Sequence, residues 1–237
     1  MEKLTELYNK WHGSMPESAE RLAGAGSNRQ YYRFTAEDGT TVIGVVGTSR
    51  DENHAFVYLA QHFEQRQLPV PQVLAVSDDG LRYLQTDLGS VSLFDAVRGG
   101  REAGGRYNLE EQELLKRTIR QLPNIQIRGA RGLDWQNCYP QPEFDEDSVL
   151  FDLNYFKYCF LKPAGLEFDE NALQDDFERL CDDLLACDDM DPAFLYRDFQ
   201  SRNVMVKDGK PWFIDFQGGR KGPVYYDIVS FVYQVRA

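Results

Sequence analysis

Within its 237 residues the chain has no lysine between Lys10 and Lys116, only three histidines, four cysteines and no G-x-G-x-x-G string. Its 26 basic side chains are outnumbered by 38 acidic ones, for a net charge of −12. Such a chain offers no broad basic face to a phosphate backbone, so nucleic acid is not an expected partner. The cysteines at 138, 159, 181 and 187 form no C-x-x-C pair and stand apart from the histidines. That excludes the usual zinc and disulfide patterns and suits reduced thiols in or near a core, hence a cytoplasmic protein. No run of 18 apolar residues and no signal-peptide pattern occur, so no membrane association is expected. His54 and His62 are isolated and read as surface or packing residues rather than ligands.

What is present centres on Tyr196 to Asp215, YRDFQSRNVMVKDGKPWFID. Val204-Met205-Val206 and Trp212-Phe213-Ile214 are β-prone, and Asp208-Gly209 between them is a strong two-residue turn signal. With that turn Lys207 faces Lys210 and Asn203 falls opposite Ile214. Asn203 and Asp215 then emerge at one end of a ribbon, and Asp198 lies on the loop leading into it. Asp198, Asn203 and Asp215 together suit a hard cation such as Mg2+, which takes a few oxygen ligands and leaves room for water and phosphate. An Asp, an Asn five residues later and an Asp at a strand end is also the spacing of the protein-kinase catalytic loop. Asp-x4-Asn alone is a weak signal, because both residues are common near turns. The turn and the closing Ile214-Asp215-Phe216 make the whole string more specific.

With Gly222-Pro223-Val224-Tyr225-Tyr226-Asp227, the string resembles the aminoglycoside phosphotransferase and choline kinase superfamily. Y-R-D-F-Q-S-R-N and I-D-F-Q-G-G are more similar to one branch, the anomeric kinases of N-acetylmuramate and N-acetylglucosamine. Tyr196 departs from a usual His, and Gly218 from a usual Asp. The resemblance implies an α+β, two-lobed protein-kinase-like fold with a small antiparallel β lobe at 1–88 and a mainly helical lobe at 89–237. It implies ATP and Mg2+, with Asp198 positioning or deprotonating a hydroxyl, Asn203 and Asp215 holding the metal, and Asp227 bracing the catalytic loop. Further helices normally follow in this superfamily, so a C-terminally truncated chain is expected.

In the first lobe Gly24, Gly26, Ser27 and Asn28 form either a phosphate-covering turn or a plain hairpin loop. Ser27, Arg29, Tyr31 and Arg33 match an S-x-R-x-Y-x-R string of the same branch. A protein kinase carries its phosphate-pairing lysine on the third strand, here Thr41 to Val46, and the lysine gap rules that out. Arg29, Arg33 or Arg50 must neutralise phosphate, with Arg33 favoured, or the chain does not turn over. Glu52 either pairs an arginine or caps its helix, with the cap favoured. Gln85, Thr86, Asp87 and Leu88 match the inter-lobe hinge that would hold adenine, or else an edge strand and turn.

In the second lobe Asp152, Asn154 and Tyr155 stud an apolar helix at Leu150 to Leu161, and together with Arg202 are the substrate candidates. Helix capping is the plainer role for Asp152. The expected reaction is γ-phosphate transfer to a hydroxyl of a small molecule, an amino sugar at its anomeric position. The alternatives are a kinase of another alcohol (an aminoglycoside, choline or methylthioribose) and an inactive nucleotide-binding module. Resemblance alone adds a possible nucleotidyltransferase partner or fusion.

Overall fold

The computed structural model describes residues 1–22, 28–186 and 192–234. Helix α1 (Glu2–His12) ends where Gly13 turns left-handed at φ 88°, and Pro16 follows. The residues that follow form an exposed edge strand, β1 (Ser18–Arg21). Strands β2 (Gln30–Thr35), β3 (Thr41–Val46), β4 (Val73–Val76) and β5 (Arg82–Thr86) complete an antiparallel sheet ordered β1-β2-β3-β5-β4. Between β3 and β4 runs α2 (Arg50–Gln65), capped by Ser49, whose hydroxyl accepts the Glu52 N–H at 3.2 Å.

Strand alternation sorts the sheet into two faces. Tyr32, Phe34, Val42 and Leu84 point to one side and pack on Leu4, Leu7 and Tyr8 of α1. Ile43, Val45 and Tyr83 point to the other and pack on Phe56, Leu59 and Phe63 of α2. This second core continues without a break into Phe194, Tyr196, Phe199, Phe213 and Phe216. The Phe56 and Phe216 rings stack at 5.1 Å, and Phe63 meets Phe194 and Phe216 edge-on at 5.1 and 5.4 Å. Aromatic burial thus fixes the sheet against the helical lobe.

The helical lobe comprises α3 (Leu93–Ala96), α4 (Arg98–Glu102), α5 (Leu109–Pro123), α6 (Glu146–Phe156), α7 (Glu170–Leu185) and α8 (Tyr225–Val232). Helix α5 loses its regular ladder at Pro123, which lacks an N–H, and goes on as one π turn at Asn124–Arg128. Helix α7 buries only Phe177 and Cys181, so its acidic run is a solvated face. Two short ribbons lie against these helices: β6 (Phe194–Leu195) with β9 (Arg220–Lys221), and β7 (Val204–Lys207) with β8 (Lys210–Phe213).

Candidate active site

The ribbon of β7 and β8 has the register its turn dictates. Lys207 faces Lys210, and the Ile214 N–H donates to the Asn203 carbonyl at 3.0 Å. Asp208 and Gly209 both take positive φ, 52° and 68°, as a type I′ turn requires. Asp215 also takes a positive φ, 64°, and lines the same cleft as Asn203. Asn203 donates Nδ2 to the Asp198 carbonyl at 2.9 Å, which leaves its Oδ1 as an acceptor. Asp215 Oδ1 accepts from Gln217 Nε2 at 2.7 Å. The three residues that the sequence groups at one ribbon end are therefore neighbours around one loop.

Asp227 braces that loop from behind. Fully buried, it accepts the N–H groups of Tyr196 at 2.9 Å and Arg197 at 2.8 Å. Gln126 Nε2 donates to it at 2.8 Å from the π turn. Burial pushes the Asp227 carboxyl up to about 7, against the pull of these three donors. With the Tyr196 and Arg197 amides anchored, Arg197 adopts φ 71° and Asp198 follows on the exposed side of the loop. Tyr196, in the position of the usual His, sends its hydroxyl to the Ile214 carbonyl and lies 3.5 Å from the Asn203 carbonyl. Burial raises its phenol well above the ordinary range, so it stays a donor that ties the loop to the strand before Asp215. The departure at Tyr196 keeps an architectural role.

Asp198 reaches solvent but is crowded on its inner side. That desolvation raises its pKa; the cation Arg197 opposes the rise, the anions Asp215 and Asp152 add to it, and Arg220 opposes it. Asp152, predicted as a substrate contact, binds Arg197 Nη2 at 2.9 and 3.3 Å. Arg220 is buried, donates Nε to the Gly218 carbonyl at 3.2 Å and faces the Phe144 ring. A Cβ on Gly218 would sit 3.8 Å from Asp198 Oδ2, so glycine keeps the space beside that carboxylate open.

Between sheet and ribbon lies a cleft of about 500 Å3, lined among others by Arg29, Tyr31, Gln85, Asn203, Asp215 and Gln217. Of the hinge candidates only Gln85 faces it, with a buried Oε1 that has no protein partner among the described residues. Thr86 and Leu88 line a separate groove behind the hinge. Asp87 grips Arg33 Nε at 2.6 Å and Nη2 at 3.2 Å, and the Gly89 carbonyl also accepts from Arg33 at 3.2 Å. Burial alone would raise the Asp87 carboxyl, but Arg33 and the Gly89 N–H hold it below its ordinary range. Arg33 is thus a strut between sheet and hinge.

Glu52, whose helix Ser49 caps, pairs with Arg29 at 3.2 Å. Arg202 lines the cleft rather than joining Asp152, its guanidinium 3.7 Å over the Phe94 ring, with Arg101 3.6 Å from the same ring. Asn154 is turned into its own helix, donating to the Leu150 carbonyl at 2.9 Å, and Tyr155 is exposed beside Asp152 in a shallow depression. Asn28 is exposed before β2, while Gly26 and Ser27 lie outside the described residues. Sequence reading passed over Gln126, Gln217, Arg197 and Arg220. Only Gln217, inside the quoted I-D-F-Q-G-G, carried a local signal.

An Asn amide oxygen and one carboxylate beside a roomy cleft fit Mg2+, which keeps much of its shell for water and phosphate. Among the described residues no group of three or more His, Cys, Asp or Glu gathers for a transition metal.

A five-stranded antiparallel sheet hinged to a helical lobe, with Asp198, Asn203 and Asp215 at the junction, defines a kinase-like phosphotransferase. Residues 18–237 match the model of APH, the phosphotransferase enzyme family, and the chain belongs to that family. It is 29% identical to an N-acetylmuramate/N-acetylglucosamine kinase of Neisseria meningitidis serogroup B, over 98% of this chain and 67% of that protein. A kinase of the same name from Pseudomonas aeruginosa is 25% identical, over 95% of this chain and 63% of its own. The chain thus spans about two thirds of the length of these curated relatives. Among solved structures, the gentamicin complex of APH(2")-IIa superimposes with a TM-score of 0.65 at 14% identity, covering 98% of this chain and 75% of that one. A thermostable APH(4)-Ia variant bound to AMP-PNP and hygromycin B gives 0.62 at 15%, covering 95% and 75%. These likenesses show the fold.

Proposed function

We propose that the chain is an ATP-dependent kinase that phosphorylates a hydroxyl of an amino sugar, at its anomeric position. The observation that carries this is that Asn203 and Asp215 line the 500 Å3 cleft while Asn203 Nδ2 is bonded to the Asp198 carbonyl, which keeps Asp198 on the same loop. The similarity to curated amino-sugar kinases supplies the acceptor class. The acceptor oxygen bonds to the γ-phosphorus while the bond from that phosphorus to the bridging oxygen breaks. The hydroxyl proton passes to Asp198, and ADP leaves. Asn203 and Asp215 would hold Mg2+, which would neutralise phosphate charge when bound. Gln85 offers an unpartnered acceptor on the wall suited to the base. A neutral or anionic sugar fits the acceptor wall better than a polycationic aminoglycoside, because Asp152 is already matched by Arg197 and Arg220 is nearby.

ADP release from Mg-ATP, measured with N-acetylglucosamine, N-acetylmuramate, glucose, choline and kanamycin, tests the proposal. Turnover is expected with an amino sugar and should fall about 1,000-fold in Asp198→Asn, the scale of a lost general base. Undiminished turnover in that variant would remove Asp198 from the chemistry. Turnover with kanamycin or choline alone would move the substrate class.

A further inference from the structure

The lysine gap leaves the phosphates without their usual cation, and the geometry singles out one of three arginines. Arg50 opens α2 on the exposed surface and does not line the cleft. Arg33 lines it, but Asp87 and the Gly89 carbonyl bind its guanidinium as a strut. Arg29 is 5% exposed and lines the cleft together with Asp215 and Asn203. Period-two alternation along β2 puts Tyr31 and Arg33 on the sheet face that turns to the cleft, and Arg29, one residue before the strand, lines the cleft with them.

Arg29 is also part of a chain of contacts that ends at the metal-type aspartate. Its Nη2 lies 3.2 Å from Glu52 Oε1 and 3.4 Å from the Glu52 carbonyl. Gln217 Nε2 lies 3.5 Å from that same Glu52 Oε1 and donates to Asp215 Oδ1 at 2.7 Å. Arg29, Glu52, Gln217 and Asp215 therefore form one relay across the back of the cleft, drawn from the start of β2, from α2 and from the segment after β8.

We propose that Arg29, oriented by Glu52 and tied through Gln217 to Asp215, is the side chain that grips the nucleotide's phosphates in place of the missing lysine. This rests on the kinase reading and deepens it. A guanidinium suits the task because it stays charged in a buried setting and carries five N–H donors in a planar fork that matches carboxylate and phosphate oxygens. Gln217 makes the two anion-handling ends of the cleft interdependent, since an amide that binds Asp215 and Glu52 at once limits how far either moves.

The test is calorimetric binding of ADP and of adenosine, without metal, to wild type, Arg29→Gln, Arg29→Lys, Glu52→Gln and Arg50→Gln, with folding checked by circular dichroism. Arg29→Gln is expected to weaken ADP about 10- to 100-fold, the range for a charge-assisted contact, and to leave adenosine within about twofold. Arg29→Lys should recover part of the ADP preference, and Arg50→Gln should match wild type. Equal loss of ADP and adenosine in Arg29→Gln would make Arg29 structural, and no loss would remove it from the phosphates; either overturns the proposal. If Arg29→Gln does not fold, Glu52→Gln decides: ADP weakened several-fold with adenosine unchanged supports it, and equal or absent loss overturns it. Wild type that binds neither compound would sink the kinase reading together with this one, whereas ADP binding that survives Arg29→Gln would sink this one alone.

Discussion

Tyr196 shows how one side chain can keep a motif working after a substitution. Its hydroxyl holds the carbonyl before Asp215, and its ring fills the core between Phe199 and Phe213. Tyr196→Phe keeps the ring and takes from the half-buried Ile214 carbonyl its hydroxyl donor. A loss of about 1–3 kcal/mol in denaturant unfolding is expected, with a larger effect on kcat than on KM for ATP if the loop loosens. Asp198 makes a second prediction. Its raised pKa means that the fold favours the protonated form, while the chemistry needs the ionised one. The acid limb of kcat/KM should therefore have its midpoint above the ordinary carboxylate value of about 4. A limb at or below that value would contradict the crowding. By linkage, the stability that Asp198 contributes is greatest at acid pH and is lost as pH rises through its folded pKa. Asp198→Asn should thus melt slightly higher than wild type at neutral pH, the difference shrinking in acid.

At the scale of elements, the ribbon and the π turn do different work. The β7–β8 ribbon is local, and its turn alone sets which residues meet. The π turn after Pro123 delivers Gln126 to Asp227 across about a hundred residues of sequence. Gly129 closes that turn, its N–H donating to the Asn124 carbonyl at 2.9 Å, and an added Cβ would lie 2.1 Å from the Ile125 carbonyl oxygen. Gly129→Ala is expected to cost about 2 kcal/mol, as overpacking does, and to lower kcat through Asp227 without changing nucleotide affinity. Thermal unfolding and steady-state kinetics check both parts.

Across the whole molecule, one continuous apolar core links the sheet lobe to the helical lobe through Phe56, Phe63 and Phe216. Phe216 stands beside Asp215, so packing and site geometry are coupled there. Phe216→Ala should destabilise by about 3–5 kcal/mol, and nucleotide binding should weaken even under conditions where the protein stays folded. Binding that stays intact in the folded variant would uncouple the core from the cleft. Among the described residues no helix is long and apolar enough to cross a membrane.

Much of the fold was legible because its signals are local. The β-prone runs around Asp208-Gly209 act on neighbouring residues through fixed turn geometry. The loop that carries Asp198 and Asn203, and Asp215 at the ribbon's end, could be placed from the chain alone for the same reason. Tertiary structure decided the rest. Arg33 is favoured over Arg29 in sequence, and only the meeting of the β2 segment with the residues after β5 and with α2 committed Arg33 to Asp87 and Arg29 to Glu52. Arg202 and Asp152 read alike as polar candidates, yet Arg202 lines the cleft and Asp152 pairs with Arg197. Long-range pairing chooses among chemically equivalent side chains by which opposite charge the folded backbone brings within reach, and no local pattern encodes that distance.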